Sequence, residues 1–135
     1  MNKVQVNSEG LQGNAHAQTV LSNLAEFVLE KEKKDACASI NFVSKTKIQE
    51  LNKTYRNIDS ATDVLSFESD IENDLGDIFV CFDVVEENAN KLNTSIENEL
   101  NLIVVHGMLH LCGYDHMNDE EAKIMEAREE EILDA

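Results

Sequence analysis

Apolar positions along this 135-residue chain fall mostly at helical spacing, with a few short stretches that instead favour strands. Lys3 to Val6 alternates weakly and predicts a first strand. Val20, Leu21, Leu24, Phe27 and Val28 set a helical stripe on Ala15 to Lys33. Cys37 to Val43 is short and rich in strand formers. Lys45 to Asn57 returns to helix, with Ile48, Leu51 and Tyr55 on one side and Arg56 at its end. Thr62 to Phe67 and Asp77 to Phe82 read as strands. Between them the acidic, turn-prone Glu68 to Gly76 is expected to be a mobile loop. Asp83 to Leu92 predicts a short helix.

The next helix is the most apolar in the chain. Thr94-x-x-Glu97 fits a capping box at its start. Ile96, Leu100, Ile103, Val104, Gly107, Met108 and Leu111 keep helical spacing, and Gly107 leaves room for another element to approach. A last helix is expected from Asn118, with Asp119, Glu120 and Glu121 suited to its positive end and Ile124, Met125 and Ile132 on its inner face. No repeat, low-complexity tract or linker interrupts the pattern, and the chain has no proline. Strands and helices interleave irregularly. The expected architecture is α+β: one domain over residues 1–135, with a small mixed sheet of about four strands packed with helices.

Charge narrows the possible partners. A net charge of −16 argues against broad affinity for nucleic acid, and no DNA ligand is expected. The distribution is uneven, however. Residues 31 to 56 carry seven basic against three acidic side chains, so one end of the domain can still offer a modest positive surface. Lys45, Lys47, Lys53 and Arg56 are the candidate RNA contacts there, with a solvated face of lysines as the plainer alternative. No apolar run approaches the length of a membrane span, and the N-terminus has no apolar core of a secretory signal. Cys37, Cys81 and Cys112 lie far apart and read as reduced core residues of a cytoplasmic protein.

The chemistry concentrates in His106-Gly-Met-Leu-His110-Leu-Cys-Gly113-Tyr-Asp-His116, an HxxxHxxxxxH pattern. His106 and His110 stand one helical turn apart and leave the helix from the same face. Between Leu102 and Cys112 they are the only side chains that are neither apolar nor glycine. A helix apolar all round is a buried helix, and burying two imidazoles without partners is costly. A shared metal is the simplest partner. Gly113 can stop the helix, so that the chain folds back and brings His116 towards the first two rings. Cys112 lies two residues after His110, about 200° around the helix, and is turned away. Three imidazoles with an open fourth position suit one catalytic Zn²⁺ per chain, although nickel or copper would also accept them.

The same stretch resembles the signature of the YbeY family of bacterial endoribonucleases and ribosomal RNA maturation factors. Two further blocks carry the resemblance: Leu51-Asn-Lys-Thr-Tyr-Arg56 with Thr62-Asp-Val-Leu-Ser-Phe67, and Gly76-Asp-Ile-Phe-Val80. Their order and spacing fit from about residue 51 to the last helix, whereas the first 45 residues match only in general layout. The family usually has prolines flanking the Thr62 to Phe67 block; here those places hold Ala61 and Glu68. The resemblance implies zinc held by His106, His110 and His116, and a phosphate-handling role for Arg56. It also implies that the strand Thr62 to Phe67 lies along the cleft beside the metal. The implied activity is hydrolysis of single-stranded RNA, in maturing the 3′ end of the small-subunit ribosomal RNA precursor and in ribosome quality control. The implied partners are the small ribosomal subunit and its assembly factors.

Physical chemistry agrees with that reading. Zinc brings the pKa of a bound water close to neutrality and polarises a phosphoryl oxygen. The planar fork of Arg56 can bind phosphate and stabilise charge growing in the transition state, or it can simply complement a helix C-terminus. Asp115, beside His116, is a candidate to orient an imidazole or assist proton transfer, with a plain turn role as the alternative. Two rival functions remain at this level. Metzincin proteases share the histidine spacing but carry a glutamate general base directly after the first histidine, where this chain has Gly107. A non-catalytic ribosome-assembly factor, its metal only holding the fold, is the other.

Overall fold

A computed structural model of the chain describes residues 4–7, 15–115 and 117–134. The described elements run β1 (Val4–Asn7), α1 (Ala15–Lys31), β2 (Cys37–Phe42), α2 (Lys45–Arg56), β3 (Val64–Glu68), β4 (Asp74–Val80), α3 (Phe82–Leu92), α4 (Ile96–Leu111) and α5 (Asp119–Leu133). The four strands form one sheet in the order β1-β2-β4-β3. β1, β2 and β4 are parallel, and β3 closes the edge antiparallel to β4. The fold is therefore α+β with a mixed four-stranded sheet, as the hydrophobic pattern predicted.

Period-two alternation divides the sheet into unlike faces. Ala38, Ile40 and Phe42 of β2 and Ile78 and Val80 of β4 are buried in the main core with α1, α4 and α5. On the other face Leu65 and Phe67 of β3 and Phe79 of β4 meet Ile48 and Leu51 of α2 in a smaller cluster. Beyond α2 this second face stays polar. Asn7 donates to Asn41 at 2.6 Å, Asn41 to Ser39 at 2.9 Å, and Ser39 to Asp77 at 2.5 Å. The alternation also puts Cys37 on this side, exposed, which corrects its expected place in the core.

Helix α4 is the pillar of the main core. Val104, Val105, Met108 and Leu109 are completely buried. At about 1.5–3 kcal/mol for each large apolar side chain removed from water, they hold this helix more firmly than caps or charges could. Gly107 is what lets it lie so close to the sheet. A Cβ there would meet Ile78 Cδ1 at 3.0 Å and Ser66 Oγ at 3.3 Å.

Several local expectations are corrected. The cap of α4 is Ser95, which accepts from the Asn98 backbone N–H at 3.0 Å, and not Thr94. Thr94 belongs to the end of α3: Asn93 turns left-handed at φ 59°, and the Thr94 N–H returns to Ala89 O at 3.0 Å. The expected loop from Glu68 to Gly76 shrinks to Ser69 to Asn73, because Glu68 already belongs to β3 and Asp74 to Gly76 to β4. Tyr55 was expected on the inner side of α2 but is 67 % exposed, with buried Asn52 taking that side and donating to Ser60 O at 2.9 Å. Ile124 of α5 is also exposed, whereas Met125 and Ile132 are buried as expected. Asn118 caps α5 by accepting from the Glu121 N–H at 2.9 Å. No helix among the described residues is long and apolar enough to cross a membrane.

Candidate metal centre

His106 and His110 are carried by the last two turns of α4, the most buried helix, and both are half-buried. A single helical turn separates them, so they share a face. The Nδ1 of His110 is buried. The Nδ1 of His106 lies 2.5 Å from Glu129 Oε1 of α5. That hydrogen bond, followed by the carboxylate's charge, raises the His106 pKa above its ordinary value, while burial pulls the other way. Helix α5 is tied in place beside it. Arg128 donates to Glu32 Oε2 at 2.7 Å through Nε and to Lys31 O at 3.2 Å through Nη2, at the end of α1.

The turn after α4 behaves as the spacing predicted. Gly113 adopts φ 110°, where a side chain would be strained, and its N–H returns to His110 O at 3.1 Å. Burial pushes the Cys112 thiol up to about 11, with Glu32 adding to the shift. At neutral pH and without a metal it therefore stays a thiol. His116 lies outside the described residues. Among the described residues no three His, Cys, Asp or Glu side chains form a metal-holding group. The two described imidazoles fit part of a zinc donor set: rings one turn apart on a rigid helix, one with its second nitrogen engaged by a carboxylate.

A cleft of about 270 Å³ opens over His106, lined by Asp63, Val64, Glu99, Leu102, Ile103 and Glu129. Asp63 directly precedes β3 and Val64 opens it, so the start of this strand lines the cleft over His106. Burial, reinforced by Asp63, raises the Glu99 pKa above the usual carboxylate range. A second cleft lies on the other side of the His106–Glu129 pair, against Ala122, Met125 and Glu126.

The remaining candidates are more dispersed. Arg56 is exposed at the end of α2, on the sheet face opposite α4. The loop that follows it leads to Asp63 and hence to the cleft over His106. Lys45 is paired with Glu87 at 2.5 Å, Lys53 stands 4.0 Å from Asp59, and Lys47 is exposed. Asp115 is exposed in a separate cleft with Gly113, Tyr114, Met117, Glu121 and Ile124. Glu129, Glu99 and Asp63 were not singled out from sequence. Glu129 did leave a signal, because it falls four residues after Met125 and three before Ile132, within the buried stripe of α5.

The family model described as Endoribonuclease YbeY matches residues 3–135. The chain belongs to the YbeY family. An Endoribonuclease YbeY of Staphylococcus carnosus (strain TM300) is 44 % identical over 142 residues, covering 96 % of this chain and 88 % of that protein. One from Staphylococcus aureus (strain JH9) is 43 % identical over 129 residues, covering 85 % and 83 %. The solution structure of TM1509 from Thermotoga maritima superposes with a TM-score of 0.73 at 36 % identity, over 96 % of this chain and 86 % of that one. The family model and both staphylococcal relatives carry the same description, Endoribonuclease YbeY.

Proposed function

We propose that this YbeY-family protein is a zinc-dependent endoribonuclease of single-stranded RNA, with one zinc per chain held by His106, His110 and His116. Its biological task is maturation of the 3′ end of small-subunit ribosomal RNA and ribosome quality control, in the cytoplasm, with the small subunit and its assembly factors as partners. The observation that carries this reading is the histidine pair on α4, one turn apart on the most deeply packed helix of the fold. A pair so placed is held in one geometry, as a metal centre requires.

Bound zinc would supply Lewis-acid polarisation of a phosphoryl oxygen. The chain's own groups do the rest. Arg56, carried on the opposite sheet face at the head of the loop to Asp63, binds phosphate through its planar guanidinium and orients the strand. Lys47 adds positive charge at the start of the same helix, while the charges of Lys45 and Lys53 are partly offset by Glu87 and Asp59. Contact with RNA is therefore local, as the overall charge of −16 requires. Asp115 serves as an orienting or proton-handling group beside His116. A protease reading lacks its base, because Gly107 follows the first histidine and its space is filled by Ile78 and Ser66.

The test is cleavage of a single-stranded RNA and of a matched duplex by zinc-loaded protein, with His110→Ala alongside. Cleavage of the single strand by wild type alone supports the nuclease. A wild type that binds zinc and small ribosomal subunits yet cleaves neither RNA would favour the non-catalytic assembly factor.

A further inference from the structure

Glu129 stands out among the groups the proposed chemistry leaves unused. It is a carboxylate with an 11 % exposed side chain, placed in the apolar stripe of α5 between Met125 and Ile132. Burying a carboxylate is costly unless something meets it. What meets it is His106 Nδ1, at 2.5 Å. Its position is not a matter of chance rotamers. Met125 and Ile132 fix α5 in the core, and the neighbouring Arg128 clamps the helix to Lys31 at the end of α1 and to Glu32 just after it.

We propose that Glu129 is a positioning residue: it accepts a hydrogen bond from His106 Nδ1, holding the ring in one orientation and one tautomer with Nε2 left as the metal-binding nitrogen. An ionised carboxylate has no proton to give, so the ring nitrogen must be the donor in this contact. The two imidazole nitrogens face away from each other, so fixing Nδ1 towards α5 aims Nε2 away from it. A carboxylate behind a ligating histidine raises the basicity of the ligand and removes the cost of orienting it, and losing such a partner typically weakens metal binding by about 10- to 100-fold. The inference rests on the zinc reading for its purpose, and its first readout needs no metal.

That readout is the ring ¹⁵N spectrum of metal-free protein at alkaline pH. Wild-type His106 should carry its proton on Nδ1, and Glu129→Ala should move it to Nε2. Zinc affinity, measured by competition with a chromophoric chelator, should fall about 10- to 100-fold in Glu129→Ala. Glu129→Gln, which keeps an acceptor oxygen and nearly the same shape, should lose less and guards against a variant that fails to fold. A merely structural glutamate would lower thermal stability on substitution and leave both the tautomer and the affinity of the folded protein unchanged. Nε2–H in wild-type His106, or wild-type zinc affinity in both variants, overturns the proposal. Failure of wild type to bind zinc would instead sink the functional reading, and the tautomer of His106 would still decide the role of Glu129.

Discussion

Helices α4 and α2 pack on opposite faces of one sheet and carry the two kinds of group proposed above for RNA cleavage, the metal-binding histidines and the phosphate-binding arginine. α4 is buried nearly all round, and its two histidines project from a helix that cannot shift without disturbing Val104, Val105, Met108 and Leu109. α2 buries only Ile48 and Asn52, and its final turn ends in solvent at Arg56. The contrast follows from what each group must do. A metal ligand loses most of its affinity when displaced by a fraction of an ångström, so it belongs on the most rigid element. An arginine that meets a flexible polyanion gains from reach and hydration. Chemistry on α4 should therefore be inseparable from the metal, and chemistry on α2 separable from both metal and fold.

The largest expected effect comes from α4. His110→Ala should abolish tight zinc binding, since two imidazoles and water make a poor site; full occupancy in equilibrium dialysis would remove His110 from the ligand set. Next comes Arg56→Ala, which should stay folded and keep its zinc while its cleavage rate falls by about 2.7–4 kcal/mol, roughly 100- to 1000-fold. Arg56→Lys should recover only part, because a point charge does not reproduce the fork. An Arg56→Ala variant that loses zinc would show the two helices to be coupled and erase the contrast.

Smaller effects probe the packing that keeps α4 fixed. Gly107→Val should destabilise by about 1–3 kcal/mol in urea unfolding, the usual scale of overpacking, because Ile78 and Ser66 already fill the space. Gly107→Ala should be milder, its crowding offset by about 1 kcal/mol of helix propensity. The smallest effect concerns Glu99. Burial raises its folded pKa above 4.5, so its contribution to stability is full below that value and is lost as pH rises through the folded pKa. Glu99→Gln cannot ionise, so it should melt slightly higher than wild type at neutral pH, and the difference should vanish on acidification. A difference that grew towards low pH would contradict this sign.

Much of this was legible in the chain because it is local. The histidine pair, the close approach at Gly107, the stop at Gly113 and the cap at Asn118 each follow from residue type and helical spacing, and the structure keeps all four. What sequence hid was set by tertiary partners. Ser95 and Thr94 both carry hydroxyls, and only the left-handed turn at Asn93 decides which of them caps α4. Glu129 reads as one more glutamate on an acidic helix until α5 docks and brings it to His106. Tyr55 keeps helical spacing with Ile48, yet its ring ends against the edge of Phe67, 5.2 Å between centroids, on the rim of the smaller cluster. Lys45 looks like a free cation until Glu87 of α3 meets it.

The most direct test of a rigid metal helix serving an RNA-cutting site is to strip the metal and titrate zinc back, following occupancy and single-strand cleavage in the same samples. Cleavage should disappear on stripping, return in proportion to bound zinc, and level off at one equivalent per chain with the fold intact throughout. Undiminished cleavage by the metal-free protein would contradict it.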